Sequence, residues 1–277
     1  MALKTFKPYT KSTRATVVVD KSGLWKGSSY KPLTKGQHVT GGRNNAGRIT
    51  SRHMGGGSKH KFRVIDFFRK KRDMKAKVDR IEYDPNRTAY IALITYEDKE
   101  KAYIISPQGL NIGDTIEAGK NVEIKIGNSL ELKDIPPGTS IHNVELIPGN
   151  GGKLARSAGS YVTLSGYDGD YAILKLSSGE TRKVNSACVG TIGTVSNPDQ
   201  KNIKIGKAGR NRWRGKRPQT RGVAMNPVDH PHGGGEGKTS GGRSPVSPWG
   251  QSAKGLKTRR PKRSDNLIIT RRKKRKK

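Results

Sequence analysis

Cysteine is nearly absent: Cys188 is the single one in 277 residues. A disulfide framework within the chain and a Cys-rich zinc site are thereby excluded, and the usage fits a reducing compartment. Acidic side chains are also scarce, 22 against 56 Lys and Arg, which leaves a formal net charge of +34. Leu, Ile, Val and Phe together number 53, 19% of the chain. That lies below the ~20% at which a highly charged chain is expected to be disordered. No uninterrupted apolar run approaches the ~20 residues of a membrane span; the longest covers 89–96. No segment shows helix periodicity, and no internal repeat is present.

The shortage of apolar residues is uneven. Residues 83–195 carry 11 basic and 13 acidic side chains and 28 of the 53 large apolar residues, enough to bury a core. Residues 1–82 carry 21 basic and 5 acidic side chains, and residues 196–277 carry 24 and 4. Flanks so charged repel themselves and need a polyanion. An anionic membrane surface favours amphipathic basic helices, whereas these flanks are rich in Gly, Pro and Ser without a helical stripe. Nucleic acid is the remaining candidate, because Lys and Arg neutralise phosphates and release counterions. A net charge of about 2–8 would suffice for solubility alone. No helix-turn-helix, zinc finger or basic helix with heptads is present. Glycine-rich basic arms instead suit irregular RNA, where backbone approaches backbone.

The middle reads as short strands at roughly ten-residue spacing, punctuated by Gly and Pro. The runs are 63–68 (RVIDFF), 78–83, 89–96, 103–106, 141–147, 161–164, 171–176 and 191–195. Val122, Ile124 and Ile126 alternate with Glu123 and Lys125, which predicts a half-buried strand. Ala172, Leu174 and Leu176 share one face. This pattern predicts an all-β fold of two small barrels rather than a βαβ sheet. The domain boundaries expected are a basic N-terminal extension over 1–60, barrels over 61–130 and 131–200, and a basic glycine-rich extension over 201–277. Residues 1–14 are acid-free and rich in Thr and Ser, in the manner of a transit peptide, but Pro8 interrupts any amphipathic helix and no cleavage pattern follows.

The C-terminal flank holds the densest chemistry. Trp213 stands among Arg210, Arg212, Arg214, Lys216 and Arg217, and Arg271 to Lys277 are all basic. Trp213 and Trp249 can stack on bases or sugars or serve small apolar contacts. His230 and His232, with Asp229 and Glu236 beside them, are the ingredients of a general base or a metal site. A catalytic histidine requires a nucleophile and an orienting partner within reach, and no nucleophile motif exists here. His-x-His with flexible glycines is a weak metal signal. His230 is thus a weak catalytic candidate, no metal ligand is assigned, and RNA contact or loop structure is the expected role. Gly237-Lys238-Thr239 ends like a P-loop, but His232 stands where the pattern needs glycine, so nucleotide binding is rejected.

Residues 218–229 (PQTRGVAMNPVD), continued by HPHGGGEG at 230–237, resemble the signature of the large-subunit ribosomal protein two family, bacterial type. Further resemblances lie at 42–45 (GRNN), 52–57 (RHMGGG), 83–87 (YDPNR), 156–159 (RSAG), 206–210 (GKAGR), 247–250 (SPWG) and at the start, MALKTFKP. They cover essentially the whole chain; residues 12–40 depart most from the family pattern. The resemblance implies an oligonucleotide-binding barrel followed by an SH3-like barrel, with extensions buried in rRNA. It implies a primary binder of large-subunit rRNA that bridges to small-subunit rRNA, joins the subunits, touches neighbouring ribosomal proteins and supports tRNA binding and peptide-bond formation. A peptidyl-transferase role proposed for such proteins is disputed, and the histidine invoked falls on His230. No membrane, small-molecule substrate or cofactor is expected, apart from Mg2+ or K+ shared with rRNA. The expected place is the cytoplasmic ribosome, with an organellar ribosome as the other compartment. The expected rRNA-binding residues are Arg43, Arg48, Arg52, His53, Lys59, Lys61, Arg156, Arg210, Arg212, Trp213, Arg214, Lys216, Arg217, Arg221, Asn226, His230, His232, Arg243, Trp249, Arg259 and Arg260. The alternative reading is a free-standing RNA chaperone or ribosome assembly factor.

Overall fold

The structure is a computed structural model and describes residues 3–272. The chain forms two compact units. The first comprises Met1–His38, Lys59–Lys207 and Asn266–Lys277, and the second comprises Val39–Ser58 and Ala208–Asp265.

The first unit is all-β. It opens on a hairpin of β1 (Leu3–Thr5) and β2 (Val17–Val19), with the one-turn helix α1 (Lys11–Arg14) between them. Thr10 caps that turn reciprocally: its hydroxyl accepts from the Thr13 N–H while Thr13 Oγ1 accepts from the Thr10 N–H. β3 (Thr34–Gly36) then pairs with β4 (Lys61–Arg63). β5 (Ala76–Glu82), β6 (Ile91–Tyr96), β7 (Lys101–Ile105) and β8 (Thr115–Ile116) make a four-stranded antiparallel half-barrel in the order β7-β6-β5-β8. A bulge between Val78 and Arg80 bends β5 so that the sheet can curl.

The long apolar run at 89–96 has a physical reason. Ala92 and Ile94 of β6 face one core with Val78, Ile104 and Ile116. Ile91 and Leu93 face a second, with Ile65, Tyr103, Ile105 and Val195, covered by Tyr30, Leu33 and Phe67. A strand buried on both faces reads as continuous hydrophobicity rather than alternation.

The remaining strands are β9 (Ser129–Glu131), β10 (Ser140–His142), β11 (Val162–Asp168), β12 (Tyr171–Leu176), β13 (Thr181–Asn185), β14 (Val189–Ile192) and β15 (Ile268–Thr270). They form one antiparallel sheet in the order β15-β13-β12-β11-β10-β14-β9, again with a bulge, between Leu164 and Gly166. Leu132, Ile141, Val144, Leu164, Ala172, Leu174 and Cys188 fill its core completely buried. Glu145 lies beside that core, 3% exposed. Its carboxylate accepts from the Gly151 N–H at 2.8 Å and from the Gly149 and Val189 N–H groups at 3.2 Å. A buried charge is tolerable only when satisfied in this way.

Several sequence expectations need correction. Residues 122–126 form no strand: the Lys125 N–H donates back to the Glu123 carbonyl, Asn128 Nδ2 also donates to it, and Gly127 turns the chain at φ +94. Ile124 and Ile126 consequently stand 48% exposed. The 63–68 run is strand only through Arg63. The 141–147 run is strand only through His142. The N-terminal 60 residues are not one extension. Their first part is clamped to the half-barrel, because Tyr103 Oη accepts from the Tyr30 N–H at 2.8 Å and donates to Glu82 Oε1 at 2.9 Å. Arg80 donates to the same Glu82 oxygen at 2.7 Å, with its guanidinium 4.6 Å from the Trp25 ring. Nor is 201–277 one extension, since β15 returns to the second sheet beside β13. Residues 273–277 of the terminal basic block lie outside the described residues. Among the described residues, no helix is long and apolar enough to cross a membrane.

Candidate nucleic-acid interface

The second unit carries seventeen Lys and Arg against three acidic residues. Among its described residues only His230 is buried, and no hydrophobic cluster forms there. The unit is therefore held by backbone hydrogen bonds and glycine-permitted close approaches rather than by a core.

The loop over 42–51 closes on itself. Asn44 Oδ1 accepts from the Arg48 N–H at 2.9 Å, the Thr50 and Ser51 N–H groups both donate to the Gly42 carbonyl at 3.0 Å, and Arg43 bridges Ile49. Gly42, at φ +77, has no room for a side chain, because a Cβ would collide with the Ser51 carbonyl. Beyond it, residues 53–58 run antiparallel to 213–218. Gly55 N–H donates to Gly215 O at 3.0 Å, Ser58 N–H to Trp213 O at 2.9 Å, and Arg217 N–H to His53 O at 3.0 Å. His53 Nδ1 lies 3.0 Å from the Pro218 carbonyl and so carries the proton. A Cβ on Gly57 would fall 3.0 Å from Gly215 N, so the two backbones touch.

This ladder gathers Arg43, Arg52, His53 and Arg217 around one cavity of about 540 Å³. Arg52 also lies 5.2 Å from the Trp249 ring centroid, and Trp249 is 80% exposed. The short helix α2 (Ala208–Trp213) carries Arg210, Arg212 and an exposed Trp213, with Arg214 and Lys216 following.

The two histidines have defined and different roles. His232 N–H donates to His230 Nδ1 at 3.0 Å, so the His230 Nδ1 is an acceptor and its neutral proton sits on Nε2. His232 donates from Nδ1 to the Gly241 carbonyl at 3.1 Å and accepts the Val246 N–H on Nε2 at 3.0 Å. Both nitrogens of His232 are thus used in pinning 230–234 to 241–246. The rings stack at 5.1 Å and 23°. Gly222 presses on the His230 ring, where a Cβ would come within 2.5 Å of Nδ1 and Cε1. Asn226 supports the loop, its carbonyl accepting the Asp229 and His230 N–H groups. Where an acid–base catalyst has an orienting carboxylate, His230 has a backbone amide. Among the described residues, no group of three or more His, Cys, Asp or Glu could hold a metal ion.

Arg48, Arg221, Arg243 and Arg260 are exposed on this unit, while Arg259 donates from Nε to Asp265 at 2.9 Å and is partly neutralised. Lys59, Lys61 and Arg156 belong to the first unit instead. Arg156 lies over Phe67 at 4.4 Å and bonds the Gly152 carbonyl. Lys254, Lys257 and Lys262, exposed on the second unit, fall outside the sequence-derived set; their only signal is the same basic composition.

Two family models match the chain. "Ribosomal Proteins L2, RNA binding N-terminal domain" matches residues 30–118, and "Ribosomal Proteins L2, C-terminal domain" matches 125–250. The chain is 62% identical over 277 residues to the large ribosomal subunit protein uL2 of Pelagibacter ubique, spanning 100% of this chain and 99% of that one. It is 64% identical over 273 residues to its counterpart in Rickettsia bellii, spanning 99% and 100%. With that of Granulibacter bethesdensis it shares 61% identity over 274 residues, 99% of each chain.

Proposed function

We propose that this chain, which belongs to the ribosomal protein L2 family, is a primary rRNA-binding constituent of the large subunit in the cytoplasmic ribosome of a bacterium. The observation that carries this reading is the second unit, seventeen basic residues against three acidic ones with a single buried side chain. Such a surface, preshaped by a backbone ladder yet without a core, is suited to lie inside folded RNA, where phosphates neutralise it and grooves supply the missing packing.

The chain also touches neighbouring ribosomal proteins. Its assembly into the large subunit supports the joining of the two subunits, a bridge to small-subunit rRNA, tRNA binding and peptide-bond formation. The chain is not itself the catalyst. His230 Nδ1 is engaged by the His232 amide, which leaves Nε2–H to donate to a phosphate or 2′-hydroxyl. No cofactor is needed; Mg2+ or K+ would be shared with rRNA phosphates.

The test is performed on ribosomes carrying a tagged chain. The wild type should sediment with the large subunit after a moderate-salt wash, whereas a free chaperone would be released. His230→Gln particles that assemble should make peptide bonds within about tenfold of wild type over pH 6–8.5, since a general base would contribute about 10²–10⁴-fold. A loss of a hundredfold or more, together with loss of an ionisation near neutral pH, would overturn the binding role in favour of catalysis.

A further inference from the structure

We propose that the cavity between the 41–56 loop and Arg217 seats one unstacked nucleotide of the RNA, taking its base as well as its phosphate. The proposal rests on the rRNA-binding reading above and names the ligand of one part of that surface. The cavity is about 540 Å³, within the ~300–1,000 Å³ of clefts that enclose small ligands. All of its lining belongs to the second unit.

Its lining has two chemistries. Arg43, Arg52 and Arg217 bring three guanidinium groups, and among the described residues no acidic side chain pairs with them. A guanidinium holds phosphate through paired N–H···O bonds and can also lie flat on a base. Ile49 and Met54 supply the other part, 57% and 54% exposed although they line a concavity. A phosphate gains nothing from an apolar wall; the face of a base does. Ser51 Oγ lies 3.1 Å from Met54 Sδ and orients that side chain. The walls are fixed in advance by the Asn44–Arg48 and Gly42–Ser51 bonds on one side and by the ladder to 213–218 on the other. Preorganisation of this kind reduces the ordering cost of capture. Gly55, at φ +138, lets Arg217 lie over the floor of the cavity, its Cδ in van der Waals reach of where a Cβ would stand.

The experiment uses the full chain with in-vitro-transcribed bacterial large-subunit rRNA carrying 4-thiouridine, cross-linked by light and read by mass spectrometry. The expected result is a nucleotide attached within residues 49–54. Ile49→Ser with Met54→Ser should bind about tenfold more weakly with an unchanged salt slope, since only base contact is lost. Arg43→Ala should instead lower the slope by roughly 0.7–0.9. Ile49→Ala, a smaller change, should move affinity in the same direction if the double variant is misfolded. Cross-links elsewhere on the chain with none within 41–56, or an apolar double variant that folds and binds like wild type, overturns the nucleotide seat and leaves the rRNA reading standing. Absence of any cross-link or binding overturns both.

Discussion

His142 is 1% exposed at the end of β10, where its Nδ1–H donates to the Gly193 carbonyl at 2.9 Å. Burial, reinforced by the charge of Arg69, lowers its pKa from the ordinary 6.5 to about 4. The unfolded chain therefore binds a proton that the folded chain refuses between those two values. Stability from this residue is complete above about pH 6.5 and is lost as the pH falls toward 4, by about 3 kcal/mol in all. Urea unfolding of the wild type should weaken more steeply from pH 7 to 4.5 than that of His142→Gln; identical slopes would refute the assignment. The sequence marks His230 and His232 as unusual through their crowding with glycine and carboxylate. It does not show that one ring presents a free Nε2–H while the other is consumed internally, because Gly241 and Val246, its partners, lie nine and fourteen residues away. Nor does it show that Gly222 is small because an imidazole rests on it.

At the scale of elements, legibility follows burial pattern. β5, β6, β7, β11 and β12 are readable because apolar residues alternate or run continuously in them. β13 (TRKVN) is hidden, since Val184 alone of its five residues is buried. The 122–126 alternation misleads because hydrogen bonds to the Glu123 carbonyl bend a segment whose pattern fits a strand. The 53–58 and 213–218 ladder is invisible, because glycines announce close approach without naming the partner. β15 (IIT) is a third kind of case, three residues in a basic tail, too short for periodicity to mark a strand. It protects the outer edge of β13, with Thr181 opposite Thr270 and Arg182 opposite Ile268. Deleting 266–277 should speed hydrogen exchange of the 181–182 amides by about tenfold or more, while 91–96 stays protected. Deleting only 271–277 should leave both unchanged; equal effects of the two deletions would mean that charge, not pairing, governs the edge.

The whole molecule divides its labour between a packed all-β unit and a coreless basic unit made of two distant stretches of chain. RNA affinity should be strongly salt-dependent, each phosphate contact contributing roughly 0.7–0.9 to the log–log slope. Removing residues 273–277, all basic, should lower that slope without changing which RNA is preferred, because phosphate contacts position and do not specify. Trp213→Ala or Arg221→Ala should reduce discrimination more than the tail deletion does; the reverse ranking, measured by competition against non-cognate RNA, would show the roles exchanged. The ladder also sets a clock. His53 and Pro218 are 165 residues apart, and a ribosome adds about 5–20 residues per second. For roughly 8–30 s of each chain's synthesis, the glycine-rich stretch at 53–58 exists without the segment at 213–218 that pairs with it. Every sheet strand up to β14 precedes Pro218 in the chain and can pair in that interval, whereas the ladder and then the edge strand β15 are added last.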